Sequence, residues 1–297
     1  MRMRILRAEH LGMCFGVRDA IGLALETAAH TRLTVLGELV HNESVLGSLR
    51  RQGVAIEHQL DAVTTSTVMI TAHGASEFAM NRARARGLNV LEATCPLVHH
   101  AHQAVRQLVR DGYHPVIIGK RDHVEVRGIT EDLVACDVIL SEADLEQVQE
   151  RPRFGVAAQT TQPIQHVRRL VSLLELQFPH SEVRFADTVC RPTKQRQAAA
   201  VDLARRCDVV VIIGGANSNN TKELVATCSR FCRLVYHVQN GLSLREDWFT
   251  RARTVGISAG TSTPDSVIDE VEARLEEIAS CLAAQTANNT ESALISS

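Results

Sequence analysis

Short apolar runs alternate along this chain with longer stretches whose apolar residues recur every three or four positions. The first kind predicts strands and the second amphipathic helices. The runs fall at Arg4–Arg7, Leu33–Leu36, Val68–Thr71, Asn89–Leu91, Pro115–Ile118, Val138–Leu140, Phe154–Ala157, Val183–Ala186, Val209–Ile213, Arg233–Val235 and Thr254–Ile257. Helices are expected over Gly16–His30, Ser76–Arg86, Val98–Asp111, Pro163–Gln177, Lys194–Arg206, Lys222–Arg230 and Pro264–Ile278, the last with Thr263 as N-cap and proline at the first helical position. Strands separated by helices predict an α/β architecture with mainly parallel sheets. Three sections of this pattern can be drawn, 14–95, 96–190 and 191–281, with residues 1–13 and the first strand joining the third. The polar, small-residue tail over 282–297 is expected to be disordered.

Composition narrows the function classes. The chain has 297 residues, a net charge of −2 and only 3% aromatic residues, so neither a basic field nor stacking platforms point to nucleic acid. Its longest apolar run, Val209–Ile213, is a buried strand and no membrane span. The opening M-R-M-R-I-L-R-A-E-H lacks the apolar core of a signal peptide. Eight cysteines without such a signal are expected to be reduced thiols in a cytoplasm.

Three of those cysteines stand apart. Cys14 (G-M-C-F-G-V), Cys95 (A-T-C-P-L-V) and Cys190 (T-V-C-R-P-T) each have a glycine or proline within two residues and each lead toward a helical pattern. They are 81 and 95 residues apart, and no C-x-x-C pair occurs, which argues against a zinc ribbon or a dithiol redox motif. One lone thiol per third of the chain fits a site built where three lobes meet. Three thiolates can hold a [4Fe-4S] cluster and leave one iron open to substrate. Cys136, Cys207, Cys228, Cys232 and Cys281 read instead as small packed hydrophobes.

Polar clusters punctuate the predicted strand ends, where ligands bind in parallel α/β sheets. They contain His41, His73, His123 with Glu125, Thr160 with Thr161, the run Ser218-Asn219-Asn220, and Ser262. Neutral and cationic donors with a single carboxylate suit an oxygen-rich anion such as a diphosphate. Neither a phosphate-binding G-x-x-x-x-G-K-[ST] loop nor a dinucleotide G-x-G-x-x-G fingerprint is present. Each cluster also has a plainer reading: Ser and Asn make turns and caps, and His99, His100 and His102 in H-H-A-H point around a helix as structural residues.

Taken together, G-M-C-F-G-V, V-H-N, A-H-G, A-T-C-P-L-V, H-V-E-V-R-G, Q-T-T, D-T-V-C-R-P-T-K-Q-R-Q, N-S-N-N and A-G-T-S-T-P-D resemble the 4-hydroxy-3-methylbut-2-enyl diphosphate reductase family, from about Arg4 to Ile278. The resemblance implies a three-lobed trefoil of parallel-sheet α/β units around a central cavity. It implies a [4Fe-4S] cluster on Cys14, Cys95 and Cys190, and reductive dehydroxylation of an allylic diphosphate to isopentenyl and dimethylallyl diphosphate, the last step of the methylerythritol phosphate pathway. His41, His73, His123, Thr160, Thr161, Ser218, Asn219, Asn220 and Ser262 are then expected at the substrate. Glu125 would deliver protons, with Thr160 and His123 beside it, and ferredoxin or flavodoxin would supply electrons.

The chain departs from the family pattern at four places: Asp122 and Val124 flank His123, Asn219 stands where serine is usual, Phe15 follows the first cysteine, and Pro192 lies after the third. Three other readings stand beside the reductase: a paralogue acting on a related diphosphate, a non-catalytic iron–sulfur redox sensor, and a zinc hydrolase using the Cys and His groups.

Overall fold

The structure, a computed structural model, describes residues 3–40 and 42–295, with side chains described as far as residue 285. In chain order the elements begin β1 (Arg4–Arg7), α1 (Phe15–Ala28), β2 (Leu33–Leu36), α2 (Glu43–Arg51), β3 (Ala55–Glu57), β4 (Thr67–Ile70), α3 (Glu77–Ala85), β5 (Asn89–Glu92) and α4 (Pro96–Arg110). There follow β6 (His114–Ile118), α5 (Val124–Thr130), β7 (Asp137–Ile139), α6 (Glu142–Leu145), β8 (Arg153–Ala158), α7 (Ile164–Gln177), β9 (Glu182–Phe185) and α8 (Arg191–Arg206). The chain ends with β10 (Val209–Ile213), α9 (Asn219–Cys228), β11 (Leu234–Val238), β12 (Thr254–Ala259) and α10 (Asp265–Ile295).

The strands form three four-stranded sheets, in which every pairing is parallel: β3-β2-β4-β5, β7-β6-β8-β9 and β1-β12-β10-β11. The central strands are covered on both faces and read as near-continuous apolar runs; all five residues of β10 and all four of β4 are buried. The strands β1, β5 and β9 are sheet edges, and their exposed residues Arg4, Arg7, Asn89, Glu92, Glu182 and Arg184 keep those edges polar.

The three sheets share one topology. In each, two central strands (β2 and β4, β6 and β8, β10 and β12) send the chain outward on opposite sides, which makes a topological switch point at their carboxyl ends. In the first two sheets the fourth strand follows in sequence. In the third it is β1, brought from the other end of the chain to lie along β12, with Arg4 opposite Thr254. Each of the edge strands β5, β9 and β1 then runs on to one of the three singled-out cysteines.

The chain resolves into two compact units. One comprises Met1–Cys14, His41–Glu43 and Gln195–Ser297 and contains the sheet of β1, β12, β10 and β11. The other, Phe15–Val40 and Ser44–Lys194, contains the other two sheets.

Four short elements escape the periodicity reading: β3, α2, α5 and α6. At three to nine residues they span too little chain for a period to show. At the other end, α10 continues past Ile278 to Ile295, across most of the stretch expected to be disordered. Alanines and the absence of any Gly or Pro leave nothing there to stop it. The Thr263 hydroxyl, before the start of this helix, donates to the Ile213 carbonyl at 3.1 Å.

Candidate functional site

The switch point between β6 and β8 carries the carboxyl group that the sequence singled out. His123 is the N-cap of α5, and its Nδ1 accepts the Glu125 N–H at 3.2 Å. An accepting Nδ1 requires the neutral ring to carry its proton on Nε2. Glu125, in the first turn, is 1% exposed. Both of its oxygens are taken by one residue across the switch point: the Thr160 N–H donates to Oε1 at 2.6 Å and the Thr160 hydroxyl to Oε2 at 3.0 Å. Burial pushes the Glu125 carboxyl up to about 7, and the two bonds from Thr160 work against that rise without cancelling it.

The adjacent parts of the same unit complete this region. His73, at the carboxyl end of β4, meets His123 edge to face with ring centroids 5.5 Å apart. The Cys190 N–H donates to the Thr160 carbonyl at 3.0 Å, so this cysteine stands directly behind the residue that holds Glu125. Its thiol donates to the Thr193 hydroxyl at 3.0 Å. Cys95 is the N-cap of α4, with Pro96 at the first helical position, and its N–H donates to Ala72, next to His73. Thr161 points elsewhere: its hydroxyl accepts from the Gln159 side chain at 3.2 Å. Asp122 is exposed.

The other unit has its own polar concentration at the switch point between β10 and β12. Ser218 caps α9 and accepts the Thr221 N–H at 3.3 Å, so the plainer reading of this serine as a cap also holds. Asn219 and Asn220 open the helix, where backbone N–H groups and the helix dipole favour an anion. Around them, Asn220 Nδ2, Thr221 Oγ1, Ser258 Oγ and Ser262 Oγ are buried with no hydrogen-bond partner among the described residues. Buried polar groups are normally satisfied, so each of these atoms stands out. Asn42 donates to the Ser262 carbonyl at 3.1 Å, and the Cys14 N–H to the neighbouring Thr261 carbonyl at 3.2 Å. His41 lies outside the described residues. Thr221 and Ser258 lie outside the quoted motifs, and only the orphaned atoms reveal them; Asn42 closes the V-H-N motif, and its bond to Ser262 gives it a place.

The cysteines separate into two populations. Burial raises the thiol of Cys136, and pushes that of Cys207 to about 11 and that of Cys228 to about 12. These are packed, inert thiols. Cys14, Cys95 and Cys190 are half-buried and in no disulfide, and each immediately precedes a helix: α1, α4 and α8. At Gly16 a Cβ would lie 2.6 Å from the Cys95 Sγ, so only glycine leaves that sulfur its space. Among the described residues no three His, Cys, Asp or Glu side chains are grouped to share one metal ion. A four-iron cluster asks for something different, one thiolate for each of three separate irons. Half-buried cysteines outside any disulfide, at helix starts, suit that requirement. Among the described residues, no helix is long and apolar enough to cross a membrane.

Comparison with known proteins extends the picture. The family model described as "LytB protein" matches residues 5–276. A 4-hydroxy-3-methylbut-2-enyl diphosphate reductase of Aquifex aeolicus (strain VF5) is 36% identical over 280 residues, which cover 92% of this chain and 96% of that protein. The enzyme of the same name from Geobacter sulfurreducens is 36% identical over 277 residues, covering 93% and 98%. Among solved structures, that of an (E)-4-hydroxy-3-methyl-but-2-enyl diphosphate reductase aligns with a TM-score of 0.68 at 36% identity, over 93% of this chain and 99% of the other. The Plasmodium falciparum enzyme, at 24% identity, shares the fold with a TM-score of 0.85, over 91% and 86%.

Proposed function

The chain belongs to the LytB family, and from that premise we infer that it reduces 4-hydroxy-3-methylbut-2-enyl diphosphate to isopentenyl and dimethylallyl diphosphate. The reaction is an oxidoreduction of isoprenoid precursor synthesis. The allylic C–O bond breaks, the hydroxyl leaves as water with one proton, and two electrons and a second proton go to the allylic fragment. The single observation that carries this reading is Glu125, a buried carboxyl that stays protonated to about pH 7 in a protein region otherwise lined by histidine and threonine.

In this reading Glu125 is the proton donor. A general acid works best with a pKa near the operating pH, and burial supplies that here. Thr160 fixes the carboxyl through two bonds and keeps its proton aimed. His73 and His123 offer ring N–H groups to the diphosphate, joined by His41, Ser218, Asn219, Asn220 and Ser262. The orphaned Asn220 and Ser262 atoms supply donors that an anion would satisfy, each such bond being worth roughly 1.5–3 kcal/mol. Thr161 serves the site through its contact with Gln159.

Cys14, Cys95 and Cys190 would hold the [4Fe-4S] cluster of this family, three ligands following three equivalent edge strands in three lobes: 14–95, 96–190, and 1–13 with 191–281. When bound, the cluster supplies electrons and one Lewis-acidic iron. A ferredoxin or flavodoxin of a cytoplasmic compartment would reduce it.

The test is anaerobic turnover of the substrate by cluster-loaded protein with a reduced viologen as donor. Substrate-dependent viologen oxidation with both C5 diphosphates formed is the expected result. A brown, sulfide-containing protein that leaves the substrate intact would turn the reading toward the paralogue or the redox sensor.

A further inference from the structure

The helix α4 buries one polar residue on its apolar face. Val98, Ala101, Val105 and Leu108 pack inward, and among them lies His102, 7% exposed. Its Nε2 has no hydrogen-bond partner among the described residues. Burial pushes the ring down to about 4, so it is neutral under physiological conditions. An unpaired buried nitrogen costs stability, and a leucine would fill the same space without that cost. The sequence therefore breaks a local rule here, which is where function is expected.

The surroundings of the ring show what it does. Nε2 is turned toward Gly74, the residue after His73; a Cβ on Gly74 would lie 3.4 Å from that nitrogen. Gly74 also needs its glycine for a φ of +75°. On another side, Cε1 is 3.5 Å from where a Cβ on Gly128 would stand, and that position meets the backbone of Ala75 at 3.4 Å. Gly128 lies one turn beyond Glu125 on the helix that His123 caps. The imidazole thus fits between the turn that carries His73 and the helix that carries Glu125. These two parts also bring the His73 and His123 rings together.

We propose that His102 is a positioning residue for the anion-binding histidines: it spaces the His73 turn from α5, and through Nε2 it holds that turn in the diphosphate-bound arrangement. The nitrogen is idle in the present arrangement and gains a partner when the turn moves onto an anion. The proposal rests on the reading of His73 as a diphosphate ligand. A cleft of about 360 Å³ on the outer side of His102, lined by Val105, Ile129 and Leu133, leaves room for a different side-chain shape.

The experiment compares the cluster-loaded full-length chain with its H102L, H102Q and H73A variants by steady-state kinetics, calorimetric titration with inorganic diphosphate, and thermal unfolding. For H102L we expect a Tm that is unchanged or higher by roughly 2 °C. KM and the Kd for diphosphate should rise about 10-fold, the value of one hydrogen bond, with kcat within about 3-fold. H102Q, which returns a hydrogen-bonding amide to this position, should recover KM to within about 3-fold. Unchanged diphosphate affinity in H102L would overturn the proposal. So would a parallel loss of Tm, kcat and affinity, the mark of a packing residue, or an H102Q no better than H102L. If H73A bound diphosphate normally, the reading of His73 would fall and this inference with it. A loss in H73A beside an unaffected H102L would overturn the inference alone.

Discussion

The surroundings of Glu125 and those of Ser262 are both buried and polar, yet they are opposites. Glu125 is satisfied by its own chain, with both oxygens engaged by Thr160 and the helix cap supplied by His123. In the other unit, Asn220, Thr221, Ser258 and Ser262 each have a polar side-chain atom with nothing to bond among the described residues. On the proposed reading the first region acts on a proton, which calls for a fixed carboxyl with a set pKa. The second takes up a charged group, which calls for donors kept in reserve. Polar groups closed on themselves set chemistry, whereas those left open set affinity.

The harshest way to sharpen this contrast is to ask whether both regions serve one cofactor. Cys14 lies beside Thr261 in the open region, and Cys190 behind Thr160 in the closed one. Replacing Cys14, Cys95 or Cys190 by serine should remove most bound iron and abolish turnover, while C136S keeps both, as iron and sulfide analysis would show. Equal iron in all four would break the ligand assignment. Next in size, E125Q should keep its cluster and lose about 10²–10⁴-fold in kcat. Wild-type turnover in that variant would end the proton-donor reading.

The same variant tests the burial of the carboxyl without any substrate. Glu125 is raised from 4.5 in the unfolded chain to about 7 in the fold. Its contribution is therefore fully present below pH 4.5 and is lost as pH rises through 7. Native protein should lose stability relative to E125Q across that window, by on the order of 3 kcal/mol, and the gap should stay constant above it. Parallel denaturation curves at pH 5 and pH 8 would show the carboxyl to be solvated. In turnover, the native pH profile should fall on the alkaline side near pH 7. T160V, which removes a bond that favours the ionised form, should move that limb to higher pH.

In the open region the effects are smaller and fall on binding. S262A should raise KM about 10-fold, with no loss of Tm, because the hydroxyl has no partner to lose among the described residues. N219S, which restores the usual serine at the start of α9, should change KM by less than about 3-fold.

The closed region was the harder of the two to read as structure. Glu125 and Thr160 were legible as residues through their motifs, but α5 was not. V-E-V-R-G-I-T is seven residues long with a glycine and several β-branched residues, all poor helix formers. The helix exists because His123 caps it and because Val126 and Ile129 are buried. The parallel strands were plain because doubly covered strands such as V-V-V-I-I carry their burial in their composition. Ser258 and Thr221 could not be found this way. Their meaning lies in the missing partner, and composition does not record partners. The place of His102 in H-H-A-H predicts a structural residue; its burial agrees, and only the two glycines around it suggest more.

The pairing of β1 with β12 has a consequence for how the protein is made. Arg4 faces Thr254, and the turn before α1 is held by Gly12 N–H to Ala259 and Cys14 N–H to Thr261. A ribosome adding roughly 5–20 residues per second needs on the order of 10–50 s to travel that distance. Throughout that interval the first strand lacks its neighbour β12, while the sheets of β2–β5 and then β6–β9 gain all their strands before it ends. Cys14 is the earliest of the three cysteines to leave the ribosome and the last to be fixed in place, so a chain cut short before β12 would carry this thiol without the turn that holds it.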